Sequence, residues 1–319
     1  MTVLPVGLEV RPFRVDTDVP PLLHLLADAE AVDDSGELLS EELLRLYLSL
    51  PNHNLGTDRW VIEHPEDTTL IAHAELHLPS ETDDRRVADG TLVVHPKWRR
   101  QGLGATLFAK IEGRLGTSNT ALRFYLDPRL EATATFAVKR ELEANPADTY
   151  TEMHAALADV TAQRVLPKGF TLLSYRKVDH LPTLVEALNR SFEGVLGHHH
   201  TTETEFAPHL AELDPDGLFL LFAPDGSVAG EVSAELAPDL SKRNRVLTGR
   251  VSSPGVISER RSLGLYGALL LSGVDYLRGQ NAVRAELQSW GDAPETIQLY
   301  TSLGFSTVHR QVAFQREAA

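Results

Sequence analysis

The stretch LVVHPKWRRQGLGATLFAKIEGRL, residues 92–115, contains a strand, a turn and a helix in that order. Its first residues are apolar and β-branched, and apolar residues then recur at helical spacing. Two arginines and a glutamine, residues 99–101, occupy the turn, and Gly102 and Gly104 flank the start of the helix. A helix N-terminus presents unpaired N–H groups, glycine allows close backbone approach, and arginine adds a forked cation. The stretch therefore predicts an anion-binding loop.

The second half of the chain repeats this order as SSPGVISERRSLGLYGALLLSGVDYL, residues 252–277. Arg261 and Gly264 follow Arg99 and Gly102 by the same 162 positions. A common offset between separate motifs indicates an internal repeat. Two further segments match in the same order: residues 7–26 with 169–188, at the same offset, and the hairpins around Pro65 and Pro224, at 159.

The repeat predicts two homologous domains, residues 1–160 and 167–319, joined by the segment TAQRVLPKG at 161–169. Each copy contains a strand, an amphipathic helix, a hairpin, the strand–loop–helix stretch, and then a strand, a short helix and a last strand. Strands and helices in this order predict an α/β class. We therefore expect two tandem domains, each a mixed central sheet flanked by helices.

Composition excludes several classes of protein. The 319 residues carry a net charge of −15, which disfavours a nucleic-acid partner. No apolar run is long enough for a membrane span and no secretory signal is evident, so a cytoplasmic location is expected. The absence of cysteine removes disulfides, Cys-based zinc sites and a Cys nucleophile. His198, His199 and His200 are consecutive and predict a surface loop near the acceptor cleft, not a metal site, because metal ligands converge from spaced positions.

The order V-x-P-x-x-R-x-x-G-x-G/A in the two loops resembles the acetyl-CoA pyrophosphate loop of the GNAT acyltransferase superfamily. LYTSLGF, residues 299–305, resembles the C-terminal Y-x-x-L-G-F motif of that superfamily. The resemblance covers both halves and implies an N-acetyltransferase with acetyl-CoA as co-substrate, no metal, and direct attack of an amine on the thioester. The implied CoA-binding residues are Leu92, Val93, Val94, Arg99, Arg100, Gln101, Gly102, Leu103, Gly104 and Ala105, and Pro254, Gly255, Val256, Arg261, Ser262, Leu263, Gly264, Leu265, Tyr266 and Gly267.

The same resemblance implies that Tyr300 protonates the departing CoA thiolate as the general acid. A phenol with a pKa near 10 stays protonated beside a thiol with a pKa of roughly 8.5. A buried core aromatic is the other interpretation of Tyr300. Glu231, Glu235 and Glu286 lie on predicted strands and are the candidate bases. Each fits a solvent-facing position as well, Glu231 and Glu235 share one strand face, and an ordered water chain is an alternative base.

The two halves differ around the tyrosine. Opposite LYTSLGF the first half reads FAVKREL, residues 136–142, which places Ala137 or Val138 opposite Tyr300, depending on the alignment. Glu141 replaces the motif's glycine, whereas the second loop carries Tyr266 where a small residue is usual. These differences predict a catalytic C-terminal domain and a structural or CoA-holding N-terminal domain.

The acceptor is predicted to be a small-molecule amine, with a protein or peptide acetyltransferase and a non-catalytic acyl-CoA-binding regulator as alternatives. The tandem arrangement is distantly similar to the mycothiol synthases. Those enzymes carry a Gly-Glu-Val stretch in the second domain where this chain has Gly249-Arg250-Val251. The sequence assigns no oligomeric state.

Overall fold

The computed structural model describes residues 5–34, 41–48, 54–79, 86–193, 200–210 and 213–318. The chain divides into two compact units: unit 1 consists of Met1–Pro146 and Gln311–Ala319, and unit 2 of Ala147–Arg310. Each unit is a mixed α/β domain, which confirms the predicted fold class.

The unit boundaries differ from the division that the sequence suggested. Residues 147–160 belong to unit 2, and the nine C-terminal residues, Gln311–Ala319, belong to unit 1. The reason is strand pairing between residues far apart in the chain, which the repeat does not encode. The segment 161–169 lies inside unit 2.

Unit 1 follows the predicted order of elements. Its elements are β1 (Val10–Pro12), α1 (Val15–Asp33), α2 (Glu41–Leu48), α3 (Leu55–Asp58), β2 (Arg59–Glu63), β3 (Leu70–His77), β4 (Val87–Val94), a 3₁₀ turn (Pro96–Trp98), α4 (Leu103–Leu115), β5 (Ala121–Leu126), α5 (Glu131–Lys139) and the start of β6 (Glu143–Ala156).

The sheet of unit 1 runs β1-β2-β3-β4-β5 and continues onto residues 312–316. Val312–Arg316 pair antiparallel with β5. Strand β4 pairs antiparallel with β3 along its length. Its parallel pairing with β5 covers Val87–Asp89 and Ala121–Arg123. Beyond Asp89 the two strands diverge, and we call this gap the strand split of unit 1.

Unit 2 repeats the arrangement. Its elements are the remainder of β6, β7 (Thr171–Ser174), α6 (Tyr175–Val178), α7 (Leu181–Ser191), α8 (Glu203–Leu210), β8 (Leu218–Phe222), β9 (Val228–Leu236), α9 (Pro238–Asn244), β10 (Thr248–Ser252), β11 (Gly255–Val256), a 3₁₀ turn (Ser258–Leu263), α10 (Leu265–Gly279), β12 (Arg284–Trp290), α11 (Pro294–Ser302) and β13 (Ser306–Arg316), whose end lies in unit 1.

The strand split of unit 2 follows Ser252. Strand β10 pairs in parallel with β12 as far as Ser252 and Gln288. After a bend at Ser253 and Pro254, the short β11 pairs with β9, whereas β12 continues to pair with β6 on its other side. A gap between two parallel strands exposes backbone groups that a bound chain-like molecule can pair with.

Helices α10 and α11 pack on one face of the unit 2 sheet, and α7 packs on the other. Val251, Leu269, Leu287, Tyr300 and Phe305 belong to the core on the α10 face. Tyr175, Leu184 and Leu220 belong to a separate core beside α7. The strand split of unit 2 therefore lies between a face covered by α10 and α11 and a face covered by α7.

Candidate functional site

Both predicted anion loops place a glycine in the left-handed conformation at the start of a helix. Gly102 has a φ of 89° before α4, and Gly264 has a φ of 72° before α10. This conformation is strained for residues that carry a Cβ. The first N–H groups of each helix lack intrahelical partners and point out of the loop. The loops thus have the backbone geometry of an anion site.

The two loop arginines brace their loops in the same way. The Nε of Arg99 donates to the carbonyl of Val94, and that of Arg261 donates to the carbonyl of Val256, each at 3.0 Å. The rest of the Arg99 guanidinium makes a bidentate ion pair with Asp33, at 2.7 and 2.6 Å. The end of the Arg261 guanidinium instead donates to the carbonyls of Ser191 and Glu193, both at 3.1 Å. Each arginine therefore fixes its loop to the first long helix of the unit.

The other residues of the predicted CoA set lie beside these loops. Arg100, Ser262 and Leu263 are exposed, whereas Pro254, Gly255 and Val256 are buried where β10 passes into β11. Tyr266 is half-buried in the first turn of α10. Burial raises the pKa of its phenol, with Arg261 lowering and Asp292 raising it, so this side chain lies near both charges.

Four polar side chains meet at the strand split of unit 2. Ser253, Ser289 and Tyr300 surround the carboxylate of Asp292, and we call these four residues the hydroxyl cluster. The Ser253 hydroxyl donates to Asp292 Oδ2 at 2.5 Å and the Ser289 hydroxyl donates at 2.7 Å. The Tyr300 hydroxyl donates to the same oxygen at 3.3 Å and lies 3.4 Å from Ser253 Oγ.

Burial raises the pKa of both ionisable groups of the cluster, Tyr300 and Asp292. Burial, and then the charge of Asp292, raise the pKa of Tyr300 well above its usual value. Burial also raises the pKa of Asp292, although the hydroxyls of Ser253 and Ser289 oppose that shift. A phenol with a raised pKa remains a proton donor across the neutral range.

Of the three candidate bases, Glu231 lies at the strand split. It is 3% exposed and faces Gly255, the first residue of β11, across the β9–β11 ladder. Its Oε1 lies 2.8 Å from the position that a Cβ on Gly255 would occupy. Burial raises the pKa of Glu231 to about 8, while a hydrogen bond from the Gly255 N–H lowers it. A base poised near neutral pH suits removal of a proton from an amine.

The other two candidates are held by cations. Glu286 accepts from Arg243 and from Asn244, each at 2.7 Å, within a buried network. Glu235 pairs with Arg250 at 3.2 Å, and Arg250 also reaches Asp239 at 3.3 Å. Both carboxylates are therefore already engaged by donors from neighbouring elements. The structure therefore separates Glu231 from Glu235, although both lie on one strand face.

Glu231 and Tyr300 lie on opposite faces of the sheet. A Cβ built on Gly230 would contact Leu269 of α10, so strand alternation directs the neighbouring Glu231 to the α7 face. Tyr300 belongs to the core on the α10 face. A thioester lying in the strand split would have one group on each side.

Unit 1 provides a structural counterpart for Tyr300. Ala137 O accepts the N–H of Leu142 at 3.0 Å, as Tyr300 O accepts the N–H of Phe305 at 3.1 Å. Glu141 and Gly304, at equivalent positions, both have a positive φ. Ala137 is 1% exposed and Val138 is 79% exposed. Of the two alignments, the structure therefore places Ala137 opposite Tyr300.

Strand pairing locates the counterparts of the rest of the hydroxyl cluster. Asp89 is the third residue of β4 that pairs with β5, and Arg250 is the third residue of β10 that pairs with β12. Leu92 and Ser253 each follow three residues later and therefore correspond. The same comparison along β5 and β12 aligns Leu126 with Ser289 and Arg129 with Asp292. At the positions aligned with the hydroxyl cluster, unit 1 thus has two leucines, an arginine and Ala137.

Sequence reasoning missed Ser253, Ser289 and Asp292. Ser253 stands in a Ser-Ser-Pro-Gly bend and Asp292 in a Gly-Asp-Ala-Pro turn, where such residues are commonplace turn formers. Their one sequence signal was position, since they flank the strand ends beside the two recognised motifs. His198 and His199 lie outside the described residues, and His200 is exposed.

Two kinds of feature are absent from the described ranges. No group of three or more His, Asp or Glu side chains there is arranged to hold a metal ion. No helix in those ranges has the length and apolar character to cross a membrane.

Comparison with known proteins supports the predicted resemblance. Residues 23–137 match the model of the acetyltransferase (GNAT) family. The chain is 28% identical to the mycothiol acetyltransferase of Rhodococcus erythropolis over 82% of this chain and 85% of the relative. It is 26% identical to that of Catenulispora acidiphila over 99% of this chain and 100% of the relative.

Solved structures share the fold at full length. A GCN5-related N-acetyltransferase from Sphaerobacter thermophilus superposes with a TM-score of 0.73 at 21% identity, covering 99% of this chain and 97% of that one. A tandem GNAT protein from the clavulanic acid biosynthesis pathway gives a TM-score of 0.70 at 21% identity, covering 98% and 99%. The comparisons confirm the predicted tandem GNAT architecture and the enzyme class, an N-acetyltransferase.

Proposed function

We propose that this chain, a tandem GNAT N-acetyltransferase, transfers the acetyl group of acetyl-CoA to a primary amine of a small molecule, and that the reaction takes place in unit 2. The observation that carries the proposal is the strand split of unit 2, which has a hydrogen-bonded phenol on one face and a buried carboxyl with a raised pKa on the other. Unit 1 has Ala137 in place of the phenol. We therefore assign it a structural or CoA-holding role.

The acetyl-CoA would lie with its pyrophosphate at the N-terminus of α10 and its thioester beside the bend at Ser253–Gly255. Gly264 leaves the loop backbone open to the phosphates, and Arg261 holds the loop against α7. Backbone groups of β11 face the gap that β12 leaves. These features suit a CoA thioester, which is elongated and carries negative charge on its phosphates.

The proposed reaction begins when Glu231 accepts a proton from the acceptor's ammonium group. The neutral nitrogen attacks the thioester carbonyl, an N–C bond forms, and the C–S bond breaks with its electron pair leaving on sulfur. Tyr300 gives its proton to the thiolate, and the acylated nitrogen, which still carries two hydrogens and a positive charge, loses one proton to solvent. Solvent then takes the proton from Glu231 and returns one to Tyr300, so the amide and free CoA leave a resting enzyme.

A small-molecule acceptor is favoured over a protein by the nature of the relatives. The curated relatives that match along most of this chain are named for acetylation of mycothiol, a small molecule. The acceptor of this chain need not be the same, since Arg250 is committed to Glu235 and Asp239 beside the split. The proposed acceptor is therefore defined by its primary amine and not by the rest of its structure.

The test is a Tyr300→Phe variant assayed with acetyl-CoA and a panel of small amines and peptides. We expect kcat to fall by about 10²- to 10³-fold, the range for loss of a general acid. Tyr276→Phe is the matched control, because it removes a hydroxyl that donates to Asp214 at 2.6 Å on the same helix as the CoA loop but far along it. Full activity of Tyr300→Phe would overturn the assignment of the acid.

Calorimetric titration of the wild-type chain with acetyl-CoA supplies the second measurement. Binding that changes in unit 2 weaken is the expected result; one site per chain would leave unit 1 a structural role, and two sites would give it a CoA-holding role. Binding without turnover of any amine would favour an acyl-CoA-binding regulator, and turnover of peptides alone would favour a protein acetyltransferase. Absence of binding would overturn the proposed function as a whole.

A further inference from the structure

Asp292 is the centre of the hydroxyl cluster, and one of its oxygens accepts three hydrogen bonds. Ser253 lies in the bend after β10, Ser289 lies near the end of β12, and Tyr300 lies on α11. All three hydroxyls converge on Oδ2 from different elements. The carboxylate therefore ties together both sides of the strand split and the helix that carries the phenol.

Packing alone does not account for an aspartate here. Asp292 is half-buried, and the described residues form no ion pair with its carboxylate, although the charge of Arg261 lowers its pKa. Burying a carboxylate without an ion-paired cation costs free energy, because hydroxyl donors replace its hydration only in part. Asparagine or serine could have joined the same three elements without that cost. The negative charge of Asp292 is therefore what distinguishes it from those residues, and it is the property that a role for Asp292 must use.

The charge acts on Tyr300. A hydroxyl that donates to a carboxylate has its hydrogen directed along that bond, and the 3.3 Å contact orients the phenol at the split. Ionisation of Tyr300 would place a second negative charge beside the first. Asp292 thus opposes loss of the phenolic proton to water, and a thiolate that arrives next to Tyr300 and Ser253 would be its acceptor.

We propose that Asp292 is the positioning residue for Tyr300: its carboxylate, shared with Ser253 and Ser289, holds the phenol at the strand split with its proton in place. The inference rests on the proposed function, since it assigns Asp292 a role in acetyl transfer only through Tyr300. It adds a residue that neither loop motif nor the Y-x-x-L-G-F motif contains.

The matched control is a second Asp–Tyr hydrogen bond in the same unit. Tyr276 donates to Asp214 at 2.6 Å near the C-terminal end of α10. Asp214→Asn removes the same chemical interaction away from the strand split. It should leave kcat within about two-fold of the wild type.

The experiment is a double-mutant cycle on the full chain with Asp292→Asn and Tyr300→Phe. We expect Asp292→Asn to lower kcat by about 10- to 100-fold while the KM for acetyl-CoA stays within about two-fold. In the Tyr300→Phe background, the same change should have almost no further effect, since Asp292 acts through the missing hydroxyl. If Asp292→Asn does not fold, Asp292→Ser is tested by the same cycle.

The outcomes separate this inference from the proposed function. Equal losses from Asp292→Asn in both backgrounds, or a loss confined to KM, would overturn the positioning role while leaving Tyr300 as the acid. A wild-type rate in Tyr300→Phe would overturn the acid assignment and the inference with it. A wild-type rate in Asp292→Asn with a slow Tyr300→Phe would overturn the inference alone.

Discussion

The two strand splits of this chain differ in chemistry although their backbones correspond. In unit 2 the split is lined by two serines, an aspartate and a tyrosine. In unit 1 the core beside the split contains three phenylalanines, Phe108, Phe124 and Phe136, with ring centroids 5.5 to 5.9 Å apart. A Cβ on Gly90 would lie 2.5 Å from the ring of Phe124, so that ring packs directly on β4. The residues at one split are apolar and packed together, and those at the other are polar and hydrogen-bonded.

The loops differ far less than the splits. Each has a left-handed glycine and an arginine whose Nε binds the carbonyl of the preceding strand's last residue. A loop of this kind can persist for structural reasons, because its arginine also braces a helix. The difference teaches that a recognisable anion loop does not by itself identify the active unit. The two units differ instead in the residues at their strand splits.

The largest expected difference between the two units concerns the proposed base, Glu231. His73 pairs with Val93 as Glu231 pairs with Gly255, so these two buried residues are counterparts. Glu231→Gln should lower kcat/KM by about 100-fold or more, because an amide cannot accept the proton. His73→Gln should change it by less than about three-fold. Steady-state assays of both variants make the measurement.

The pH dependence of kcat/KM is a second test of Glu231 as the base. The carboxyl of Glu231 must be ionised to act as a base, and its pKa is raised to about 8. The kcat/KM of the wild type should therefore rise with pH up to about 8, and Glu231→Gln should lose that limb. A comparable loss in His73→Gln would instead assign proton transfer to unit 1.

A smaller effect is expected from the loop glycines. Gly264→Ala forces a left-handed conformation on a residue with a Cβ, which costs about 1–2 kcal/mol. We expect the Kd for acetyl-CoA to rise about ten-fold in this variant, since 1.4 kcal/mol corresponds to ten-fold. Gly102→Ala should leave kcat/KM for acetyl-CoA close to that of the wild type. The reverse pattern in calorimetry and kinetics would make unit 1 the source of the reacting CoA.

The smallest effect concerns the turn after each short helix. Gly304, with a φ of 103°, has Asp159 O 3.3 Å from the position of a Cβ, so Gly304→Ala should destabilise the chain by about 1–2 kcal/mol. Glu141, with a φ of 56°, occupies the equivalent turn. Glu141→Gly should be stabilising by up to about 1 kcal/mol, because relief of strain exceeds the added entropy of the unfolded chain. Thermal melts of both variants test whether the two turns are equivalent.

Local patterns made much of the fold predictable. The repeat, the α/β class, the glycines before α4 and α10, and the short helix that carries Tyr300 all depend on contiguous residues. Hydrophobic spacing and turn chemistry act within a few residues, so they can be read along the chain. The comparison of LYTSLGF with FAVKREL also identified the difference between the halves, although the choice between Ala137 and Val138 needed the structure.

The domain boundaries and the base could not be predicted in the same way. Gln311–Arg316 join the sheet of unit 1 because β13 pairs with β5, and these strands are far apart in the chain. Glu231, Glu235 and Glu286 were equal candidates because each is a glutamate on a strand. Glu286 pairs with Arg243 from α9, and Glu235 pairs with Arg250 from β10. Of the three candidates, Glu231 is the one that lies at the bend without such a cation.

The sequence by itself determined that this chain has two copies of one domain, a loop with a glycine before a helix in each copy, and a Y-x-x-L-G-F stretch in the second copy where the first reads FAVKREL. Only the tertiary structure decided that Asp292, Ser253 and Ser289 meet Tyr300, and that Glu231 faces it from the other side of the sheet. The physical reason is that a strand's own residues set its alternation, whereas the groups around a gap between strands come from segments that approach only when the sheet forms. Charge and burial at such a gap are properties of the assembled fold.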